Sequence, residues 1–573
     1  MTIRRLLVGI LLATGCARST PADLILTNAR VYSLAWGEPD SAGRPGKDAP
    51  YGPQGWHPDA GAVAITDGLI TFVGSVEEAA RFRDSSTRVI DLGGATLVPG
   101  LIDSHTHVAE LALNLARLDL IGVATEAEVV ERVAARAQSV PKGEWIVGYG
   151  WDEGAWANRY PTHEALTRAV PDHPVFLRSL HGFAGWANRM ALERAGIGAA
   201  TVAPIGGSIL TDRGGAPTGV VLNRAVTLLE AAIPAPTPDQ LAERLAVALD
   251  TMAGRGYVAV HEAGTDAATL AAFERLEQTG RLPIRVSAML SARDTALTRE
   301  WLARGPLRDP TRRLRVAAVK AYYDGALGSR GARLLEDYAD SAGHRGTSGE
   351  NYGFDRAAVA ALMRAGFQAA IHAIGDAGNR EVLAFIDSVS KAAPGSRAGR
   401  HRIEHAQVVH PDDFARFRAA GVIASMEPPH AVEDMPWAEA RLGPDRIGGA
   451  YAWRTMRRFG IPLILNSDLP GSDFDFYYGF HSAVTRRDRS GRPFEGWFPE
   501  QRLSPEEALR GYTSWAAFAS FDEAVTGIIA PGRWADLTAL DVDPLAFGER
   551  EPVLLLRGKP VLTVVGGQVA FER

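Results

Sequence analysis

The sequence predicts an α/β protein: a (β/α)8 barrel of the TIM type, with a small β-sandwich built from both chain ends and an inserted α+β subdomain. Three observations predict this fold. The middle of the chain alternates short apolar segments with amphipathic helical stretches, as parallel sheets do. Those segments number eight, which is the strand count of this barrel. Both chain ends instead contain short β-branched segments separated by Gly and Asp-Gly turns.

Residues 1–16 are predicted to be an export signal rather than part of the fold. Arg4 and Arg5 precede an apolar run, and the only cysteine of the chain, Cys16, follows it. This order is similar to a bacterial lipobox, with Ala13 at the position where Leu is usual. We therefore expect an exported protein, periplasmic or in the cell envelope, that is anchored by a lipid on Cys16. An ordinary signal peptide is the alternative.

The two chain ends and the middle define the predicted domains. Residues 22–95 and 529–573 both contain strand-like segments and are expected to share the β-sandwich. The barrel is assigned to residues 96–123 and 237–528. Residues 124–236 combine strand-like and helical pieces with many aromatic residues, so we expect an inserted subdomain near the barrel mouth.

The first predicted barrel strand ends in two histidines one residue apart. In chain order, the predicted strands are LVPGLIDSHTH, YVAVHEAG, PIRVSAML, AAVKAYYDG, QAAIHAIGD, HRIEHAQ, GVIASMEP and IPLILNSD. Because side chains alternate faces along a strand, His105 and His107 lie on one face. At the carboxyl end of a barrel strand, that face is where active sites form.

Four further predicted strands have a potential metal ligand near their carboxyl end. These residues are Lys320, His372, His405 and Asp468. Taken singly, each has an ordinary structural explanation, such as a hydrogen-bonded core histidine, a buried ion pair or a helix N-cap. Ligands at five of the eight strand ends of one barrel are difficult to obtain from packing alone. The set therefore predicts a metal site.

Composition limits the classes of partner. Of 573 residues, 46% are hydrophobic and 22% charged, and the formal net charge is -6 without a long basic block, which argues against nucleic acid as a partner. Beyond the first residues, no segment is long and apolar enough to span a bilayer. We expect a small-molecule substrate, with the membrane contacted only through the lipid anchor. The oligomeric state stays open.

The ligand pattern resembles that of the amidohydrolase superfamily, which has His-x-His on the first strand, Lys on the fourth, His on the fifth and sixth, and Asp on the eighth. The resemblance runs from about residue 22 to the C-terminus and is greatest to the branch of N-substituted formamide deformylases. The motifs that carry it are VKAYYDGALGSRGA, HAIGDAGN, RIEHAQVVHPDD, AYAWRTM, NSDLP, AVTRRD and ADLTALDVDP.

The resemblance implies one or two divalent metal ions, zinc foremost. One ion would be held by His105, His107, Lys320 and Asp468, and the other by Lys320, His372 and His405. Lys320 would react with carbon dioxide and bridge the ions as a carbamate. A metal-activated hydroxide would cleave a non-peptide carbon–nitrogen bond, amide or formamide-like, while Asp468 carries the proton to the leaving nitrogen.

For several residues, and for the function of the protein, more than one interpretation stays open. His181 and His430 are candidates for substrate binding, and a structural role is open for both. His261 is expected in the core or beside the ligands, and Asp324 either orients a loop or belongs to a plain turn. Alternative functions are a dipeptidase-like enzyme, a cyclic-amide hydrolase or a deaminase on the same barrel, or a non-catalytic, lipid-anchored binding protein.

Overall fold

The computed structural model describes residues 20–152, 160–179 and 183–573. The predicted export signal with Cys16, and His181, lie outside the described residues. The chain divides into two compact units. One contains the chain up to Thr106, Asp250–Asp266 and Pro283–Arg573, and the other contains His107–Leu249 and Ala267–Leu282.

The first unit contains the predicted barrel, an eight-stranded parallel sheet that is nearly closed. In chain order its strands are Leu101–Thr106, Tyr257–Thr265, Arg285–Ser291, Leu314–Tyr322, Gln368–Ala373, Arg402–His405, Ile423–Met426 and Leu463–Leu465. The first and eighth strands meet where the Asp468 N–H donates to the His105 carbonyl over 3.0 Å. The predicted (β/α)8 fold is confirmed.

Helices alternate with the later barrel strands, which is the pattern that a parallel sheet requires. The α-helices that lie wholly in the first unit are Val76–Ala79, Thr295–Arg304, Arg356–Arg364, Asp376–Ala392, Phe414–Ala420, Pro428–Leu442, Trp453–Arg458, Phe476–Thr485, Pro505–Gly511, Ser514–Ala519 and Pro544–Arg550. Capping residues in the sequence fix where several of these helices begin. Asp355, for example, accepts the Ala358 N–H and so caps the helix after the fourth barrel strand.

Both chain ends share one sheet, as predicted. Its five strands, in spatial order, are Arg30–Val31, Thr96–Pro99, Leu537–Leu540, Pro560–Val565 and Gln568–Glu572. A four-stranded sheet has the order Leu69–Gly74, Ala62–Thr66, Leu24–Thr27 and Arg88–Asp91, and a small hairpin pairs Tyr51–Gly52 with Gly55–Trp56. One buried apolar cluster contains side chains of both larger sheets, among them Leu26, Val63, Leu97 and Val564. This shared core makes the two sheets a sandwich.

The second unit is built on a six-stranded mixed sheet. Its spatial order is Leu118–Asp119, Ile146–Trp151, Val175–Ser179, Ala184–Ala187, Pro217–Asn223 and Gly207–Thr211. Its helices are Val108–Ala116, Glu126–Ala137, His163–Ala169, Arg189–Arg194, Val226–Glu230 and Ala267–Gln278, and Pro238–Gly254 begins in it. Trp151 and Trp186 are fully buried in its core, with ring centroids 6.1 Å apart.

Within the described residues, no helix has both the length and the apolar character that crossing a membrane requires.

Candidate metal centre

The barrel places the predicted ligands at the carboxyl ends of its strands. His105, Lys320, His372 and His405 lie on the first, fourth, fifth and sixth strands, and Asp468 follows the eighth. His105 and Lys320 are almost completely buried, at 0% and 1% exposure. Side chains that are far apart in sequence therefore meet in one region, because parallel strands end at the same rim.

His105 is in contact with both Lys320 and Asp468. The Lys320 Nζ lies 2.8 Å from the His105 Nε2, and the Asp468 Oδ1 lies 3.5 Å from the same nitrogen. His105, His107 and Asp468 each offer a ligand atom within 4.8 Å of the others. This group contains three of the four residues that were predicted to hold one ion.

The other two predicted histidines lie beside this group. The His405 ring centroid is 5.2 Å from that of His105 and 4.6 Å from that of His372. His405 also forms a second potential ligand group with Glu427 and His430, again with ligand atoms within 4.8 Å. His405 was predicted to share an ion with Lys320 and His372, so the structure offers it an additional set of partners.

Lys320 is a buried amine with an unusual environment. Its Nζ contacts the His105 Nε2 and lies 4.9 Å from the centre of the Tyr322 ring. No carboxylate of the described residues comes within ion-pair distance of it, and burial lowers its pKa to about 8 although Glu404 and Asp468 act in the opposite direction. An unpaired buried ammonium ion is costly. The site therefore fits a chemically modified or metal-binding amine better than a free cation.

Among the predicted ligands, three imidazoles are buried, and each has a carboxylate near its Nδ1 atom. His105 pairs with Glu404 at 2.5 Å, His372 with Asp324 at 3.2 Å, and His405 with Glu427 at 3.1 Å. Metal-binding histidines commonly donate one ring N–H to such a carboxylate and coordinate through the other nitrogen. The donor set thus suits a divalent metal bound through the Nε2 atoms.

Burial favours the uncharged imidazoles that metal binding needs. It lowers the pKa of His105 to about 3, with a further contribution from the Lys320 charge, and it lowers the pKa of His372 as well. At neutral pH, each of these rings carries one proton. The carboxylate that faces the Nδ1 of each ring favours the tautomer with its proton on Nδ1, and that tautomer leaves the Nε2 lone pair available for a metal.

His430 lies between two carboxylates. Its Nδ1 is 3.5 Å from the Glu427 Oε2, and its Nε2 is 3.8 Å from the Asp468 Oδ2. Burial alone would lower the pKa of His430, but Glu427 and Asp468 outweigh it and raise the pKa to about 9. At neutral pH, His430 is therefore a cation beside Asp468. Its ring lies parallel to that of His405 at 6.0 Å.

Sequence reasoning did not assign roles to the buried acids Glu404 and Glu427 or to Arg402. Arg402 and Glu404 alternate on the sixth strand around the apolar Ile403, and a pair of charges in a buried strand is the signal that could have indicated them. His261 lies beside Arg402, with its Nδ1 3.2 Å from the Arg402 Nη1.

Asp324 does more than form a turn. Its carboxylate accepts the backbone N–H groups of Arg333, Ile374 and Gly375 over 2.9–3.0 Å and also faces His372. It therefore orients the loop after the fourth strand and a predicted ligand together.

Comparison with known proteins extends these observations. Residues 88–571 match the amidohydrolase family. The chain belongs to this family. This amidohydrolase is 31% identical over 520 residues to YtcJ of Bacillus subtilis (strain 168), a provisionally named amidohydrolase, with 89% of this chain and 96% of that protein covered. It is also similar to an uncharacterized metal-dependent hydrolase from Pyrococcus furiosus of known crystal structure, with a TM-score of 0.71, 27% identity, and coverage of 91% and 99%.

The comparison does not single out one branch. The amidohydrolase is 28% identical over 536 residues to the N-substituted formamide deformylase of Arthrobacter pascens, with 90% of this chain and 95% of that enzyme covered. It is 30% identical over 551 residues to the Arabidopsis thaliana protein LONG AFTER FAR-RED 3, with 91% and 88% covered. The predicted family is confirmed, and the amidohydrolase is a metal-dependent hydrolase. The formamide deformylase is one of several similar relatives.

Proposed function

We propose that the protein hydrolyses a non-peptide carbon–nitrogen bond, an amide or a formamide, with one or two divalent metal ions, zinc foremost. The observation that carries this proposal is the convergence of His105, Lys320, His372, His405 and Asp468 at one end of the barrel. Imidazole and carboxylate donors suit zinc. The N-substituted formamide deformylase relative supports a formamide or related amide as the substrate.

Two groups of side chains would hold the metal. His105, His107, Lys320 and Asp468 would bind one ion, and Lys320, His372 and His405 the other, with Lys320 as a carbamate. Support for the carbamate comes from the burial of Lys320 without a carboxylate partner, since carbon dioxide reacts with the neutral form of an amine. A divalent metal at this position supplies Lewis acidity, which lowers the pKa of bound water from about 15.7 toward about 7.

Asp468 would transfer a proton during the reaction, and His430 would donate a hydrogen bond. Water adds to the carbonyl carbon, the carbon–nitrogen bond breaks, and the products are an acid and an amine. Asp468 takes a proton from the attacking water and delivers it to the leaving nitrogen. The cationic His430 lies 3.8 Å from Asp468 and would donate to the oxygen of the substrate.

A substrate panel tests the proposed reaction. The purified protein, loaded with zinc, is incubated with N-formyl amines, N-acyl amino acids, cyclic amides and dipeptides. We expect amine release from an N-formyl or N-acyl compound, its loss on chelation and its recovery with zinc. Selective hydrolysis of dipeptides or cyclic amides would favour those alternative activities. No hydrolysis of any compound by the metal-loaded protein would contradict the proposal.

We also propose export and lipid anchoring at Cys16, which rest on Arg4, Arg5 and the apolar run before the cysteine. Metabolic labelling with a fatty acid in a bacterial host tests this. We expect a labelled protein in the membrane fraction for the wild type and an unlabelled protein for Cys16→Ala. Equal labelling of the two would contradict the assignment.

A further inference from the structure

A buried ion pair lies directly beside the candidate metal centre. The Arg402 Nε donates to the Glu404 Oε1 over 2.5 Å, and its Nη2 donates to the Glu404 Oε2 over 2.8 Å. The same Oε2 accepts the His105 Nδ1–H over 2.5 Å. The Arg402 and Glu404 side chains are 1% and 0% exposed. Arginine, glutamate and a predicted ligand thus form one connected, water-excluded unit.

Arg402 is held by three other barrel strands. Its Nη2 donates to the Ser104 carbonyl over 2.6 Å and to the Ser425 Oγ over 2.9 Å, and its Nη1 contacts the His261 Nδ1 at 3.2 Å. Ser104 directly precedes His105 on the first strand. The guanidinium therefore fixes Glu404 in relation to the backbone that carries His105.

Fold stability alone is a weak explanation for this pair. Desolvating two charges costs about as much free energy as their attraction returns, and apolar replacements of buried ion pairs are often equally stable or more so. A specific consequence lies at His105. Because both Glu404 oxygens carry negative charge and can only accept hydrogen bonds, the His105 Nδ1 must donate.

We infer that Arg402 and Glu404 are positioning residues for the metal centre. They hold His105 in the tautomer that carries its proton on Nδ1, so the lone pair of its Nε2 points toward the metal. This inference rests on the proposed metal-dependent function. Arg402 acts through Glu404, and Glu404 acts through His105. Neither side chain needs to touch the metal or the substrate.

The variant Glu404→Gln reverses the hydrogen bond while changing the volume little. The single carbonyl oxygen of glutamine is attracted to the charged Arg402, which turns its NH2 group toward the His105 Nδ1. That nitrogen must then accept, and the ring proton moves to Nε2, where it blocks coordination. We expect zinc affinity to fall about 10- to 100-fold, the usual effect of losing such a partner of a metal-binding histidine.

The experiment measures zinc affinity by competition with a chromophoric chelator, and coordination by the visible absorption of the cobalt-substituted protein. A second variant, Arg402→Met/Glu404→Leu, removes both charges so that neither is left buried alone. The matched control is Arg510→Met/Glu506→Leu. It removes another buried pair, in which the Arg510 Nε and the Glu506 Oε1 are 2.9 Å apart and which contacts none of the predicted ligands.

The expected result is weaker zinc binding and an altered cobalt spectrum in both Glu404 variants, with wild-type values in the control. Wild-type affinity in a folded Glu404 variant would overturn the inference, as would an equal loss in the control. If the double variant fails to fold while the control folds, the pair serves the fold and the inference is wrong. Failure of the wild type to bind zinc at all would instead overturn the proposed function.

Discussion

Asp468 shows how a single residue connects the fold with the proposed chemistry. Its backbone has a φ of 55°, and its N–H donates to the His105 carbonyl where the first and eighth strands meet. Its carboxylate lies 3.5 Å from the His105 Nε2 and 3.8 Å from the His430 Nε2. The closure of the barrel thus sets the position of the carboxylate.

At the residue scale, we expect Asp468→Asn to reduce kcat by about 10²- to 10⁴-fold, because an amide cannot carry the proton to the leaving nitrogen. Asparagine tolerates a positive φ, so the backbone is preserved. Metal content, measured by inductively coupled plasma mass spectrometry, should stay near the wild-type value because the predicted ligands His105 and Lys320 are unchanged. Near-native kcat in a metal-loaded variant would exclude Asp468 as the proton carrier.

The positions of the predicted ligands at the strand ends could be predicted from the sequence because each position depends on local information. A histidine or lysine late in an apolar strand, as in Lys320 and His372, lies at the barrel rim whatever its neighbours are. Glu404 could not be predicted in this way. Its partner His105 is 299 residues away, and only the register of the folded barrel brings them together.

At the scale of elements, one predicted strand belongs to two sheets. Residues 97–107 were predicted to form a single strand, but Gly100 divides Thr96–Pro99 in the terminal sheet from Leu101–Thr106 in the barrel. A side chain at Gly100 would lie 2.4 Å from the Val258 side chain. The sequence shows the glycine, but the change of partner strands is a tertiary property that periodicity does not encode.

The loop after the fourth strand depends on Asp324. In Asp324→Asn the NH2 group replaces an oxygen that accepts backbone N–H groups, so at least one buried donor loses its partner. We expect the free energy of unfolding of the metal-free protein to fall by about 1–3 kcal/mol in urea denaturation. The control Asp309→Asn, at an exposed turn, should change it by less than about 0.5 kcal/mol. Equal stability of Asp324→Asn and the wild type would show that the loop does not need the carboxylate.

A buried histidine, His401, lies directly before the sixth strand. The His401 Nδ1 accepts the Ala369 N–H over 3.0 Å, and burial lowers the pKa of His401 from 6.5 to about 4. Between these values the unfolded chain binds a proton that the folded protein does not, so stability falls as the pH decreases from 6.5 to 4. We expect the protonation of His401 to lower the free energy of unfolding by about 3 kcal/mol over this pH range.

Urea denaturation of the metal-free protein across this pH range measures the effect, with His401→Gln as the comparison. Glutamine can still accept the Ala369 N–H but does not titrate. The wild type should therefore lose more stability than the variant. Parallel pH profiles of the two proteins would contradict the assignment of this loss to His401.

At the scale of the whole first unit, Asp536 joins the barrel to the sheet of the chain ends. Its carboxylate accepts two hydrogen bonds from Arg285 of the third barrel strand, at 2.7 and 3.1 Å, and one from the Gly566 N–H at 2.7 Å. The Asp536 side chain is fully buried. The composite sheet was predictable from the β-rich chain ends, but this connection was not, since its residues are 251 positions apart.

We expect Asp536→Asn to lower the free energy of unfolding by about 3 kcal/mol, because Arg285 is left without its counter-charge in a largely buried site. Asp387→Asn, which removes the exposed pair with Lys391, should cost less than about 0.5 kcal/mol. Chemical denaturation of both variants and the wild type provides the measurement. Similar losses in the two variants would show that burial does not strengthen the Arg285–Asp536 pair.

We propose that residues at separate strand ends converge to hold a divalent metal used in hydrolysis. The most direct test is a crystal structure of the zinc-loaded protein grown with bicarbonate, with anomalous scattering measured at the zinc absorption edge. We expect an anomalous peak within coordination distance of the Nε2 atoms of the predicted histidines, with density for a carboxylate on the Lys320 Nζ. No peak near Lys320, or a single peak confined to His405, Glu427 and His430, would contradict it.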